Sequence, residues 1–172
     1  MVVDVFFNDS SICGFVGCVE DDFLASTVAE NSSSKYLFST IAPTSVGSNH
    51  MILTHKSSTY LSAAIFGSRY RLSGFVEGGQ VEDATDVVAV GQQLATFKQF
   101  DNDTAIYGNG IEHVTDNTKT VTGTSTFNIG SSFTGVSSFF VGGIQEVIIY
   151  ASDESANRIV IEKNINNHYG IY

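Results

Sequence analysis

The sequence contains no tryptophan, a single proline, two cysteines and no more than eight basic residues, and each scarcity removes a class of protein. Without Trp, a flat apolar platform for a sugar ring has to come from the 7 Tyr or the 13 Phe. Eight Lys and Arg against eighteen Asp and Glu give a formal charge of −10, which excludes the basic stripe of a nucleic-acid surface and disfavours anionic membranes. No apolar run approaches the roughly eighteen residues of a membrane-spanning helix, so no membrane insertion is expected. Met1-Val2-Val3-Asp4 lacks the basic start and long apolar stretch of a signal peptide, so export by a cleaved signal is not expected. Cys13 and Cys18 would point to opposite faces of a strand and have no His or Cys partner at zinc spacing, so they are expected as buried, inert thiols. His50, His55, His113 and His168 show neither HxxxH nor HExxH spacing, and a Gly-x-Ser-x-Gly elbow and a P-loop are missing.

What remains is rich in Gly, Ser, Thr, Asn, Phe and Tyr, the composition of a β-rich globule with many turns. Short apolar runs recur between turn signals: Val2 to Phe7, Ile12 to Val19, Phe23 to Val28, Lys35 to Ile41, His50 to His55, Thr59 to Phe66 and Arg69 to Val76. Gly67-Ser68 is a candidate two-residue hairpin between the last two runs. Glu77 to Asp86 reads as a flexible acidic loop, followed by strands Val87 to Val90 and Leu94 to Phe100 and a turn at Asp101-Asn102-Asp103. Asn109-Gly110 suits a type I′ hairpin turn, whose two central residues both need positive φ. Thr118 to Thr122, Ser125 to Ile129 and Ser137 to Val141 complete the strands before the tail.

The tail organises the rest. Gly143 to Tyr150 is a strand with apolar residues at both parities from Val147 to Tyr150, so both its faces should be covered, one by an opposing sheet and one by the helix that follows. That helix is expected over Asp153 to Tyr169, capped by Ser152 or Asp153 and stopped by Gly170. Ile161, Ile165 and Tyr169 fall at i, i+4 and i+8 and make its apolar face. The chain is therefore expected to be all-β: a two-sheet antiparallel jelly-roll β-sandwich with one C-terminal α-helix, a single domain over residues 1–172.

The run Gly142 to Tyr150, a short acidic turn, Arg158 and then Ile161 to Ile171 resembles the ending of concanavalin A-like (laminin G-like) lectin/glucanase domains of the kind found in bacterial and bacteriophage surface proteins. Ala105 to Ile111 resembles the family's strand, Asn-Gly, strand hairpin, and Phe127-Asn128-Ile129-Gly130 the strand and glycine after it. The matching motifs lie between Asp86 and Tyr172. The resemblance implies a lectin-like module on a virion surface, such as a capsid decoration or tail-fibre protein. It would be present in several copies, with a surface glycan or other virion proteins as partner. Release inside a virus particle would need no export signal. A glycan-binding module excised from a bacterial surface or extracellular protein is the first alternative, and a glycoside hydrolase with an unrecognised site the second.

Candidate chemistry is sparse. The sandwich glucanases carry Glu-x-Asp-x-x-Glu on one strand; Glu20-Asp21-Asp22 begins that pattern, but Ala25 stands where the second catalytic Glu belongs, so no catalytic residues are expected. Glu146, in an apolar strand, is expected to pair with Arg158 or with backbone N–H groups. Parity along the Arg69 strand puts Arg69, Arg71 and Ser73 on one face, which reads either as a salt-bridged surface or as a grip for an acidic sugar or a partner carboxylate. With neighbouring Tyr70 and with Tyr107, these are the candidate ligand contacts. No cofactor is expected; calcium, if bound, would draw on Asp101, Asn102 and Asp103, or on Glu82, Asp83 and Asp86.

Overall fold

The apolar residues of Gly142–Tyr150 divide between two environments, which is why this strand is apolar at both parities. Ile144, Val147 and Ile149 enter a core between two sheets, and Ile148 and Tyr150 join a second cluster beneath the C-terminal helix. The structure, a computed structural model, describes residues 2–6, 24–25, 34–55, 62–73, 75, 79–121, 127–132 and 138–172. In chain order the described elements are β1 (Val2–Phe6), β2 (Leu24–Ala25), β3 (Lys35–Pro43), β4 (Ser48–His55), β5 (Ser62–Gly67), β6 (Arg69–Ser73) and β7 (Gln80–Glu82). They continue with β8 (Gln93–Phe100), β9 (Asp103–Gly108), β10 (Ile111–Asp116), β11 (Phe127–Ile129), β12 (Gly142–Tyr150) and α1 (Arg158–Tyr169).

Two six-stranded sheets result, ordered β1-β12-β3-β8-β9-β10 and β2-β11-β4-β5-β6-β7, with antiparallel pairing throughout. This is the expected β-sandwich, consistent with a jelly roll, with one C-terminal helix. Leu37, Phe97 and Ile106 of the first sheet face Leu53, Ala63, Leu72 and Phe127 of the second across the main core. Both hairpins read from the sequence form. Phe66 pairs with Arg69 around Gly67-Ser68, and Gly108 pairs with Ile111 around Asn109 and Gly110, whose φ values of 50° and 79° are those of a type I′ turn. At Gly142 the backbone takes φ 139° so close to Ala42 and Pro43 that a Cβ there would meet their backbone atoms, so only glycine fits.

On the outward side of the first sheet, Tyr36, Phe38, Leu94 and Ile148 are covered by α1 through Ile165, with Ile161 and Tyr169 packed at the margin. Tyr36 and Phe38 stack at 5.2 Å between ring centroids, and Tyr150 meets Phe38 edge-on at 6.0 Å. Each of these large side chains contributes about 1.5–3 kcal/mol on burial, which is what holds a helix of three turns in place. Gly170 ends the helix in the left-handed region, its N–H donating to the Asn166 carbonyl.

The start of the helix differs from expectation. It begins at Arg158 with Asn157 as N-cap, because Asp153 accepts from the Ser155 N–H and hydroxyl and Ser152 donates to Glu154, closing local turns before the helix. Four further expectations are corrected, one of them the strand Ser137 to Val141, whose described residues 138–141 form none. Val87 to Val90 is not a strand, since the N–H groups of Val87 and Val88 both donate to the Ser68 carbonyl. A strand lies instead within the acidic stretch, at β7, where Arg71 and Leu72 offer ladder partners to Glu82 and Val81. Of the strand expected over Thr118 to Thr122, the described residues 118–121 contribute an isolated bridge, Val121 to Phe75, and no strand. Cys13, Cys18 and Glu20 to Asp22 lie outside the described residues.

Candidate ligand-binding face

Strands β4 to β7 alternate between the core and the outward side of the second sheet. In β6, Tyr70 and Leu72 are buried while Arg69, Arg71 and Ser73 are half-buried and face outward. The ladder sets their neighbours: Arg69 lies opposite Phe66, Arg71 between Ala64 and Glu82, and Ser73 between Ser62 and Gln80. The register thus places two guanidiniums, a carboxylate, an aromatic ring and a row of hydroxyl and amide groups on one face.

These groups bind one another. Arg71 pairs with Glu82 through Nε and a terminal nitrogen, and its guanidinium lies 3.4 Å over the centre of the Phe66 ring. Arg69 donates from Nε to Asp86 at 2.9 Å and has a terminal nitrogen 3.6 Å from Glu82. The hydrogen bond from Arg69 holds the exposed Asp86 carboxyl below the usual carboxylate range, so at neutral pH it accepts hydrogen bonds and has no proton to give. Ser62 and Ser73 share a hydroxyl hydrogen bond of 2.6 Å, and Gln80 donates to Glu82 at 3.3 Å. Asp86 is positioned by a turn in which buried Asp83 accepts from the N–H and hydroxyl of Thr85 and lies 2.9 Å from His113 of β10 in the other sheet.

The structure brings Arg69, Arg71 and Ser73 together but separates the two candidate tyrosines from them. Tyr70 is buried, donates to Gln93 at 2.6 Å and packs edge-on against Phe97; burial raises its pKa far above the ordinary phenol value. Tyr107 lies on the outward side of the other sheet, under Arg158, whose guanidinium sits 4.0 Å from the ring centre. Burial, and then nearby Glu112, raise its pKa. Sequence reasoning missed Phe66, and it offered Glu82 and Asp86 as calcium ligands rather than as partners of the arginines. The alternation Gln80-Val81-Glu82 was the available signal for Glu82, but it is too short to stand out inside an acidic stretch.

The calcium candidates are committed elsewhere. Asp101 accepts from the Val121 N–H at 2.7 Å, Asp103 pairs with Lys98 at 2.5 Å, and Asn102 takes φ 56° as a turn residue. Glu82 and Asp86 serve the arginines and Asp83 serves Thr85 and His113. Among the described residues no group of three His, Cys, Asp or Glu is arranged to hold a metal ion, and no helix is long and apolar enough to cross a membrane. Glu146 is buried opposite Thr40, while Arg158, offered to it on sequence, forms its ion pair with Glu162 at 2.5 Å.

No protein-family model matches the sequence, and no curated protein matches it. Solved structures do resemble it. The CBM40 carbohydrate-binding module of a Ruminococcus gnavus IT-sialidase, bound to α2,3-sialyllactose, superposes with a TM-score of 0.61 at 14% identity, covering 76% of this chain and 82% of that one. Domain 4 of AbnA, an extracellular arabinanase from Geobacillus stearothermophilus in complex with arabinotriose, gives 0.56 at 13% identity over 87% and 81%. The NanB sialidase of Streptococcus pneumoniae gives 0.60 at 12% identity, with 76% of this chain covering 24% of that enzyme. The fold is therefore that of the lectin-like β-sandwiches, consistent with the concanavalin A-like fold. At these identities the likeness extends to the fold alone.

Proposed function

We propose that this chain is a non-catalytic carbohydrate-recognition module that receives a glycan on the outward face of β4 to β7, with Arg69, Arg71 and Ser73 among the contacts. The observation that carries the reading is the network of Arg69, Arg71, Glu82 and Asp86 beside the Ser62, Ser73 and Gln80 side chains, on a sheet face that no described helix covers. Fixed donors and acceptors side by side are what a polyol needs, since each sugar hydroxyl both donates and accepts. The same network argues against glycoside hydrolysis at this face, since retaining and inverting enzymes alike need one carboxyl that keeps a proton as general acid. Asp86 is held ionised by Arg69. The sugar complexes of the CBM40 module and of the arabinanase domain support the same reading by analogy of fold.

A glycan array probed with the full chain tests it. Binding is expected, and it should fall when Arg69 and Arg71 are both replaced by Ala in a variant that still melts cooperatively. Release of oligosaccharide from a polysaccharide panel would overturn the non-catalytic reading, and unaltered binding by the double variant would overturn the assignment of the face.

The finer placement is on the surface of a virus particle, in several copies. It is supported by the likeness of the segment from Gly142 to Ile171 to phage surface domains, and by an acidic charge unsuited to nucleic acid. Open polar sites bind weakly singly, and linking several copies raises apparent affinity by roughly 10² to 10⁴. Co-sedimentation of the chain with particles from its source would support this placement; its recovery solely as free protein would overturn it.

A further inference from the structure

We propose that Glu82 sets the ligand class of this face: it occupies the guanidinium edges that a carboxylated sugar would use and leaves a site for uncharged sugars. The inference rests on the carbohydrate reading above. Arg71 spends Nε and one terminal nitrogen on Glu82 and one ring-facing side on Phe66, so its side chain is only 17% exposed. Glu82, at 19%, is similarly enclosed, and Gln80 donates to the same carboxylate. Arg69 and Asp86 form the accessible rim, with side chains 40% and 66% exposed. Two arginines face two carboxylates across these pairs, so this cluster of four carries no net formal charge.

An incoming carboxylate therefore finds no uncompensated cation among these four groups. It would have to displace Glu82 from a stacked, multiply bonded guanidinium or sit beside it, and two like charges at that spacing repel. The chain's overall charge of −10 adds a long-range barrier to anions. An uncharged sugar meets neither obstacle. Its adjacent hydroxyls can donate to the Glu82 and Asp86 oxygens and accept from the guanidinium N–H groups that the internal pairs leave over. Because Arg71 covers Phe66, ring stacking on that aromatic is blocked, and hydrogen bonds have to provide the recognition.

The test is a glycan array of matched pairs, each a neutral oligosaccharide and its sialylated or uronic-acid counterpart, probed with the full chain and with E82Q. The wild type is expected to bind neutral members in preference to charged ones. E82Q removes the internal anion and keeps both arginines, so its binding to charged members should rise about tenfold, the size of one charge-assisted hydrogen bond, and that gain should shrink as salt is raised. A wild type that prefers the charged member of each pair would overturn the inference even if E82Q failed to fold. So would a folded E82Q with unchanged binding to charged members. Failure of the wild type to bind any member would instead overturn the carbohydrate reading itself.

Discussion

The outward faces of the two sheets are made from the same alternating strands, yet one carries Tyr36, Phe38, Leu94 and Ile148 beneath α1 and the other carries Arg69, Arg71, Ser73 and Gln80 with no described helix above it. Each holds an arginine–carboxylate pair and an arginine over an aromatic ring: Arg158 with Glu162 and Tyr107 on the roofed face, Arg71 with Glu82 and Phe66 on the open one. The chemistry is alike and the setting is not. Side chains of Arg71 and Glu82 are 17% and 19% exposed, close to the 17% and 4% of Arg158 and Glu162, and the difference lies at the neighbouring rim pair, Arg69 and Asp86, at 40% and 66%. Where water is excluded, losing one partner strands a charge; where water enters, it screens the pair and replaces what is lost. The Arg158 pair thus serves the fold, while on the other face the rim pair of Arg69 and Asp86 is the part available to a ligand.

The comparison breaks most severely at Ile165, which is 5% exposed at the centre of the helix contact. Ile165→Asp should cost about 4 kcal/mol or more, from the lost apolar burial and the carboxylate left in its place, and should strip the roof or unfold the domain. An unchanged melting temperature would show that the roof does not depend on this contact. Next in size is Arg158→Ala, which leaves buried Glu162 without its ion-pair partner. A loss of about 3 kcal/mol is expected in chemical denaturation, with partial recovery when Glu162→Gln is added in the same chain.

A third experiment separates buried from open polar groups by pH. His50 is buried, its Nδ1 accepts from the Val141 N–H at 3.1 Å, and burial lowers its pKa from the ordinary 6.5. The unfolded chain binds the proton more readily than the folded one, so stability is complete above about pH 6.5 and declines as pH falls below it. The melting temperature should drop between pH 7 and pH 5, and His50→Gln should flatten that part of the profile. Asp86, whose pKa is lowered, contributes stability above the ordinary carboxylate range and loses it as pH falls through that range. Arg71→Ala, which breaks an enclosed and stacked pair with Glu82, should cost about 2 kcal/mol, and the smallest stability effect belongs to the rim, where Arg69→Ala should leave the melting temperature nearly unchanged while reducing glycan capture. A larger loss at Arg69 would mean that the rim, too, is held together by its ion pairs.

Much of the architecture was legible because burial leaves a periodic trace. The double apolar parity of Val147 to Tyr150 demanded two covers, and Ile161, Ile165 and Tyr169 supplied one of them. Gly67-Ser68 and Asn109-Gly110 marked hairpins because their backbones need conformations that few residues accept. The helix start was misplaced because Ser152, Asp153 and Asn157 are all competent caps, and local turns at Ser152 to Ser155 removed two of them. At the candidate site, parity along β6 put Arg69, Arg71 and Ser73 on one face, but Glu82, Asp86 and Phe66 reach them across strands and a loop.

The sequence by itself determined the strand rhythm, the two hairpins, the apolar face of the helix and the acidic charge, because each depends on neighbours along the chain or on composition alone. Only the tertiary structure decided that Tyr70 belongs to the core, that Tyr107 lies under Arg158 on the opposite sheet, and that Glu82 already holds Arg71. Those outcomes follow from strand order and register. Such pairings join residues far apart in sequence, and no local pattern records which face a neighbouring strand will turn toward an arginine.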